Sequence, residues 1–207
     1  MRTLNPQEAE WLTTNYKDYY PGFSDPLVNA SIGREYNMPD YRAVAMTSSP
    51  MYGIEWNPDD DELDYRDIRN RQLYLESAGK VGAKSNKGAQ GIFQIMPSTS
   101  KWYQDSTGDI GDIWDPVYNE RVRDWVMERN WNSDVVKEGN PSNKTRMKKA
   151  LAAYNYGAGY LQKALGRAKR AGVDIINGDA WLDYLPNETR NYVNFIMNGL
   201  DASEHKT

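Results

Sequence analysis

The sequence predicts a mainly α-helical domain with a glycine-rich loop region behind its first strong helix and an irregular N-terminal extension. Three observations carry this. From Glu62 onward apolar residues recur at helical spacing among polar neighbours, and no segment alternates as a strand. Gly79, Gly82, Gly88 and Gly91 crowd a single connection. Pro21, Gly22, Pro26, Gly33, Pro39, Pro50, Gly53 and Pro58 interrupt the stretch from Tyr20 to Pro58. A length of 207 residues suits one compact domain plus an extension. We divide the chain into an extension or docking arm at 1–60 and a catalytic domain at 61–207.

In order, Pro6 to about Tyr19 reads as a helix, with Pro6 in its first turn and Ala9, Leu12 and Tyr16 near helical spacing. The acidic run Asp59-Asp60-Asp61-Glu62 reads as charge complementing the start of the next helix rather than as a metal site. That helix spans 62–77, with Ile68, Leu73 and Leu75 as its apolar residues. After the glycines comes an apolar cluster, Ile92, Phe93, Ile95 and Met96, closed by Pro97. The next helix is expected to start near Ser98, capped by Ser98 or Thr99. Asp115-Pro116 reads as an N-cap with proline at the first helical position, opening a helix over 116–130. Residues 144–155 read as a buried Ala-rich helix, stopped by Gly157 and Gly159, with another helix over 159–171. Leu185-Pro186 precedes an amphipathic helix over 187–200, with Tyr192, Val193, Ile196 and Met197 on its apolar face.

Composition narrows the chemistry by exclusion. There is no cysteine, and the single histidine, His205, is near the C-terminus. Thiol catalysis, Ser-His-Asp chemistry and Cys- or multi-His metal sites therefore drop out, and no cofactor is expected. A net charge of -4 gives no reason to propose nucleic acid as a partner. No window is apolar enough to span a membrane. The chain holds 7 Trp and 15 Tyr against 3 Phe, a balance that suits both a helical core and a polar ligand groove.

What remains is carboxylate chemistry, and Glu76 is the candidate. It ends an apolar-faced helix ahead of the glycine-rich loop. Apolar packing disfavours the charged form of such a carboxyl, so it is expected to stay protonated near neutral pH and to serve as a general acid. The glycines allow backbone to approach a ligand closely. Gln94 offers both donor and acceptor to sugar hydroxyl or acetamido groups.

The pattern around these residues resembles the soluble lytic transglycosylase motif, in which Glu-Ser is followed by a spaced Ser, Gly-Ala-x-Gly, and an apolar run with Gln, Met and Pro. Glu76, Ser77, Ala83, Ser85, Gly88, Ala89, Gly91, Gln94, Met96, Pro97 and Thr99 fall in step with it. Two further segments resemble the same family in order: Ala153-Tyr154-Asn155-Tyr156-Gly157-Ala158-Gly159, and Leu185-Pro186-Asn187-Glu188-Thr189-Arg190-Asn191-Tyr192-Val193. Asp115-Pro116 with Asn119 resembles a helix start found between them. The resemblance implies a lysozyme-like helical fold and cleavage of the MurNAc–GlcNAc β-1,4 bond of peptidoglycan, with Glu76 as acid/base. It implies a glycan groove lined by Ser85, Gln94, Met96, Tyr154, Asn155, Glu188 and Tyr192. Asn155 has a second reading, satisfying backbone groups at its helix end, and Tyr154 a second one as a core aromatic. The chain departs from the family at Gly79, where an aromatic is usual, at Val81, where Pro is frequent, and at Tyr156, where Ala is usual.

A glycosidase of the standard kind needs two carboxylates. Residues 77–104 contain no Asp or Glu, only Lys80, Lys84, Lys87 and Lys101. Cyclisation onto the substrate's own 6-hydroxyl needs no second base, so a transglycosylase forming 1,6-anhydro-MurNAc is expected from Glu76 alone. Glu188 competes for a second catalytic role, and Asp105, Asp109, Asp112 and Asp115 read as solvated loop and cap residues. The alternatives are a goose-type-like lysozyme acting on the same bond and a catalytically silent virion protein of this fold. The first residues lack a secretory h-region. This predicts a product made in the cytoplasm and carried to the periplasmic wall by a bacteriophage virion, released by a holin, or delivered by a secretion machine docked through 1–60.

Overall fold

The computed structural model describes residues 65–198. The expected arm at 1–60, its helix near Pro6–Tyr19, the acidic run at 59–62 and His205 lie outside them. Among the described residues the fold is helical. Its elements are α1 (Tyr65–Ser77), α2 (Pro97–Thr107), α3 (Pro116–Asn132), α4 (Asp134–Lys137), α5 (Asn143–Tyr156), α6 (Ala158–Arg170), a 3-10 turn (Ala180–Tyr184) and α7 (Asn187–Asn198). Two isolated antiparallel bridges, Lys84–Gln90 and Gln90–Ile95, are the only β pairing there. No described helix is long and apolar enough to cross a membrane.

Helix ends follow local chemistry. The Asp115 carboxylate accepts from the Tyr118 N–H at 2.8 Å, and Pro116 takes the first helical position, as the sequence predicts. Ser142 caps α5 in the same way through the Thr145 N–H at 3.2 Å. The expected cap at Ser98 or Thr99 is corrected. Helix α2 starts at Pro97 with Met96 as its N-cap and no side-chain cap bond. Pro97 presses the preceding residue into extended backbone, which fixes the boundary two residues early. The one-turn α4 and the 3-10 turn were not anticipated, being too short to show a period.

The packing divides into two apolar groups. The larger is a helical body centred on α5, which packs against α3, α6 and α7. Met147, Ala150, Leu151, Ala152 and Ala153 are buried there, with Leu161, Leu165, Trp181, Val193 and Ile196 around them. The alanines let neighbouring helices approach closely, and each buried Leu, Ile or Met adds about 1.5–3 kcal/mol. The smaller group is a loop lobe of Leu73, Ile92, Phe93, Ile95, Tyr103, Tyr118 and Val122. Helix α1 serves both: Ile68 belongs to the body and Leu73 to the lobe. Tyr154 packs against both groups. Glu76 therefore stands where body and lobe meet.

Candidate active site

Helix α1 stops immediately after Glu76-Ser77 because Ala78 (φ 54°) and Gly79 (φ 77°) turn left-handed. A non-glycine residue in that region costs about 1–2 kcal/mol. Ser77 holds the turn: its buried hydroxyl donates to the Ile92 carbonyl at 2.7 Å and accepts from the Gly79 N–H at 3.0 Å. Glu76 is thereby held at the helix end, one residue before this turn.

The loop from Ala83 to Met96 folds back on itself. Gln90 and Ile95 exchange both backbone hydrogen bonds at 2.9 Å, and the Gly91 N–H donates to the Ala83 carbonyl at 2.9 Å. Asn119 on α3 pins this loop from below. Its Oδ1 accepts from the Phe93 N–H at 2.8 Å, and its Nδ2 donates to the carbonyls of Gln90 (3.0 Å) and Ile113 (2.8 Å). Gly91 is required at this point. Its φ is +77°, and a Cβ would fall 2.3 Å from Asn119 Nδ2.

Glu76 is half-buried, and the Tyr192 hydroxyl donates to its Oε1 at 2.7 Å. Burial lifts its pKa from 4.5 to about 7. The Tyr192 hydrogen bond and the charge of Arg123 oppose that rise, and Glu188 adds slightly to it. The phenols of Tyr192 and Tyr154 are both held well above their usual range, first by burial and then by the Glu76 charge, so both keep their protons. With Oε1 engaged by Tyr192, Oε2 is the oxygen left to carry the transferable proton.

The other predicted groove residues are distributed more widely. Tyr154, from the last turn of α5, donates to the Phe93 carbonyl at 2.9 Å and feels the Glu76 charge. Gln94 sits left-handed (φ 50°), and its NH2 donates to the carbonyls of Gly91 (2.8 Å) and Ala83 (3.1 Å). The expected donor-and-acceptor role is thus narrowed: both amide hydrogens are used internally, which leaves Oε1 as the acceptor of the pair. Ser85 accepts from the Ala89 N–H at 3.0 Å, inside the loop. Met96 is exposed on the rim. Asn155 Oδ1 accepts from the Thr189 hydroxyl at 2.8 Å, which ties α5 to α7. Glu188 is exposed on α7, one turn before Tyr192.

Asp105, Asp109, Asp112 and Asp115 are engaged elsewhere. Asp105 pairs with Lys101, Asp109 with Arg121 and Tyr103, Asp112 accepts from the Trp114 N–H, and Asp115 caps α3. Among the described residues no cluster of three or more acidic or histidine side chains is arranged to hold a metal ion.

A group the sequence reading did not single out lies on the buried side of α1. Arg123 and Arg69 are both fully buried beside Phe93, with the guanidinium carbons 5.4 and 5.5 Å from its ring centre. Arg69 pairs with buried Glu120 and Arg123 with Asp124 (2.7 Å). Arg123 also donates to Gln72 Oε1 from Nε at 2.8 Å. The available signal was the polarity of α3, whose sequence PVYNERVRDWVMERNWN shows no apolar stripe although the helix is largely buried.

Comparison with known proteins agrees with this geometry. The chain is similar in structure to the 70 kDa soluble lytic transglycosylase from Escherichia coli, with 25% identity and a TM-score of 0.53 over 76% of this chain and 23% of that one. It is similar in fold to an inactive mutant of the lytic transglycosylase Slt from Pseudomonas aeruginosa, with 20% identity and a TM-score of 0.56 over 90% of this chain and 28% of that one. The chain thus spans about a quarter of the length of either. No curated protein matches it by sequence. The family model described as Transglycosylase SLT domain matches residues 73–177, half of the chain and the stretch that carries Glu76, Gln94 and Tyr154. The chain therefore belongs to the Transglycosylase SLT domain family.

Proposed function

We propose that this protein is a peptidoglycan lytic transglycosylase that cleaves the MurNAc–GlcNAc β-1,4 bond, with Glu76 as its single acid and base. The carrying observation is a half-buried carboxyl poised near pKa 7, with one oxygen engaged by Tyr192. Protonated Glu76 gives its proton to the glycosidic oxygen as the C1–O bond breaks. The resulting carboxylate then takes the proton of the MurNAc 6-hydroxyl while O6 attacks C1. The product is a 1,6-anhydro ring, and Glu76 is protonated again. Proton transfer of this kind contributes about 10²–10⁴-fold. An internal nucleophile gains up to ~7–11 kcal/mol from effective molarity.

The acid-free stretch 77–104 supports cyclisation over hydrolysis. One observation favours the hydrolase reading: the charge of Glu188 reaches Glu76, so a second carboxylate is near enough to be felt. Mass spectrometry of digested sacculi separates the two. Anhydro-muropeptides are expected from the wild type, and none from Glu76→Gln. Reducing-end muropeptides alone would overturn cyclisation in favour of a lysozyme. Lytic zones of equal size in a zymogram of wild type and Glu76→Gln would overturn the assignment of the acid.

A further inference from the structure

We propose that Tyr156, Tyr160 and Lys163 form an accessory glycan subsite beside the active site, where a sugar ring of the peptidoglycan strand stacks on the tyrosines and a stem-peptide carboxylate meets the lysine. This rests on the reading of the protein as an enzyme of peptidoglycan.

A break in the backbone brings the two rings together. Tyr156 is the last residue of α5, Gly157 leaves the helix with φ 93°, and Tyr160 lies in the first turn of α6. The ring centres are 5.2 Å apart, with their planes inclined by 35°. Tyr156 is half-buried against the helical body, whereas Tyr160 is 58% exposed. Among the described residues neither hydroxyl has a hydrogen-bond partner. Lys163 stands one turn further along, with its ammonium 5.4 Å from the Tyr160 ring centre, and among the described residues it has no ion pair. Helix α6 contains no acidic residue, in a chain of net charge -4.

Hydrogen bonds join this patch to the active site. Tyr154, two residues before Tyr156, donates to the Phe93 carbonyl at 2.9 Å. Asn155, between them, accepts from the Thr189 hydroxyl at 2.8 Å. Thr189 lies one turn before Tyr192, which donates to Glu76 at 2.7 Å. The patch therefore continues the end of α5 that is already tied to the lobe and to the helix holding the acid.

A purely structural role accounts for little of it. Leu161, Ala164, Leu165 and Ala168 bury the inner face of α6 without Tyr160. A ring that stays more than half in water gains little from apolar burial. What the pair offers is an exposed apolar surface with two free hydroxyls at its edge. The C–H face of a pyranose and its surrounding hydroxyls match both features. Lys163 adds a cation that a neutral glycan would leave idle, whereas the stem peptides of peptidoglycan carry carboxylates.

The test measures binding by titration calorimetry on the full chain in a Glu76→Gln background. The probes are long peptidoglycan strands with stem peptides, the same strands stripped of them, and a short stem-free fragment. Tyr160→Ala should weaken binding of both long strands roughly two- to tenfold and leave the short fragment unaffected. Tyr160→Phe keeps the stacking face and should lose less. Lys163→Met should weaken only the peptide-bearing strand, roughly two- to fivefold, with the effect fading at high salt. With Glu76 in place, Tyr160→Ala should raise KM for strand cleavage while kcat stays unchanged. Unaltered affinity of Tyr160→Ala for long strands overturns the subsite, and so does a loss equally large for the short fragment. A Lys163→Met effect that persists on stripped strands overturns the carboxylate contact. A wild type that leaves sacculi uncut overturns the underlying reading and the subsite with it. Sacculi cut equally well by wild type and Tyr160→Ala, with equal KM, overturn the subsite alone.

Discussion

The helical body and the loop lobe are held together by different physics. The body buries Met, Leu, Ile and Ala side chains from five helices around α5, and its shape is over-determined by packing. The lobe buries seven apolar side chains, and its shape comes from backbone: left-handed Ala78 and Gln94, the close approach at Gly91, and three hydrogen bonds to one Asn119 side chain. Packing tolerates small errors by relaxing, whereas a loop defined by hydrogen bonds and dihedral angles has no such slack. The difference teaches where stability and activity should part company, since Glu76 belongs to both regions.

The largest expected effects form a matched pair. Leu151→Ala opens a cavity at the centre of the body and should cost about 2–5 kcal/mol of stability. Measured well below its melting temperature, its specific activity should equal the wild type. Asn119→Ala leaves the Phe93 N–H and the Ile113 carbonyl without this partner and takes one of two hydrogen bonds from the Gln90 carbonyl, which keeps the Ile95 N–H, at about 1–3 kcal/mol for each group left unpaired where water cannot reach. Here activity should fall at least tenfold even where circular dichroism shows the chain fully folded. If both variants lose activity only in proportion to unfolding, the distinction between the regions collapses.

Next in size is a stabilising change at the seam. The pKa of Glu76 is raised on folding from 4.5 to about 7, so the folded state binds the proton more tightly than the unfolded one. Stability from this group is fully present below pH 4.5 and is lost as pH rises through 7, by roughly 3 kcal/mol at most. Glu76→Gln removes that dependence. It should melt higher than the wild type at pH 8 and alike at pH 4.5, while being inactive at both.

Smallest is Gly88→Ala. The position has φ +91° but open space around it, so only the dihedral cost of about 1–2 kcal/mol applies. A modest melting shift with activity retained would mark the outer loop as less critical than Gly91.

The body was legible from sequence because its elements announce themselves: Asp115-Pro116, the alanines of α5, and the apolar face of α7 all read correctly. The site was legible where a motif carries it. Glu76 and Tyr192 meet in space, and Tyr154 comes near them. The rest was hidden for specific reasons. Met96 became a cap because Pro97 restricts it sterically, which outweighed the side-chain capping ability of Ser98 and Thr99. Ser85 and Asn155 stand in the motifs, and the fold adds what the sequence does not show, that their side chains accept hydrogen bonds from Ala89 and Thr189. Arg69, Glu120, Arg123 and Asp124 were not singled out, because charged residues are seldom fully buried unless paired, and partners on a distant helix do not show in the sequence. Here Arg69 on α1 finds Glu120 on α3, and Arg123 on α3 finds Gln72 on α1. Pairings between distant segments leave no periodicity to read.

Tyr154 joins the two regions, packing against both cores and bonding to the Phe93 carbonyl at 2.9 Å. One side chain is thus a rivet between a unit stabilised by packing and a unit stabilised by backbone. Loosening it would let the lobe open as a sub-global event, while the body keeps its amide protons shielded from exchange.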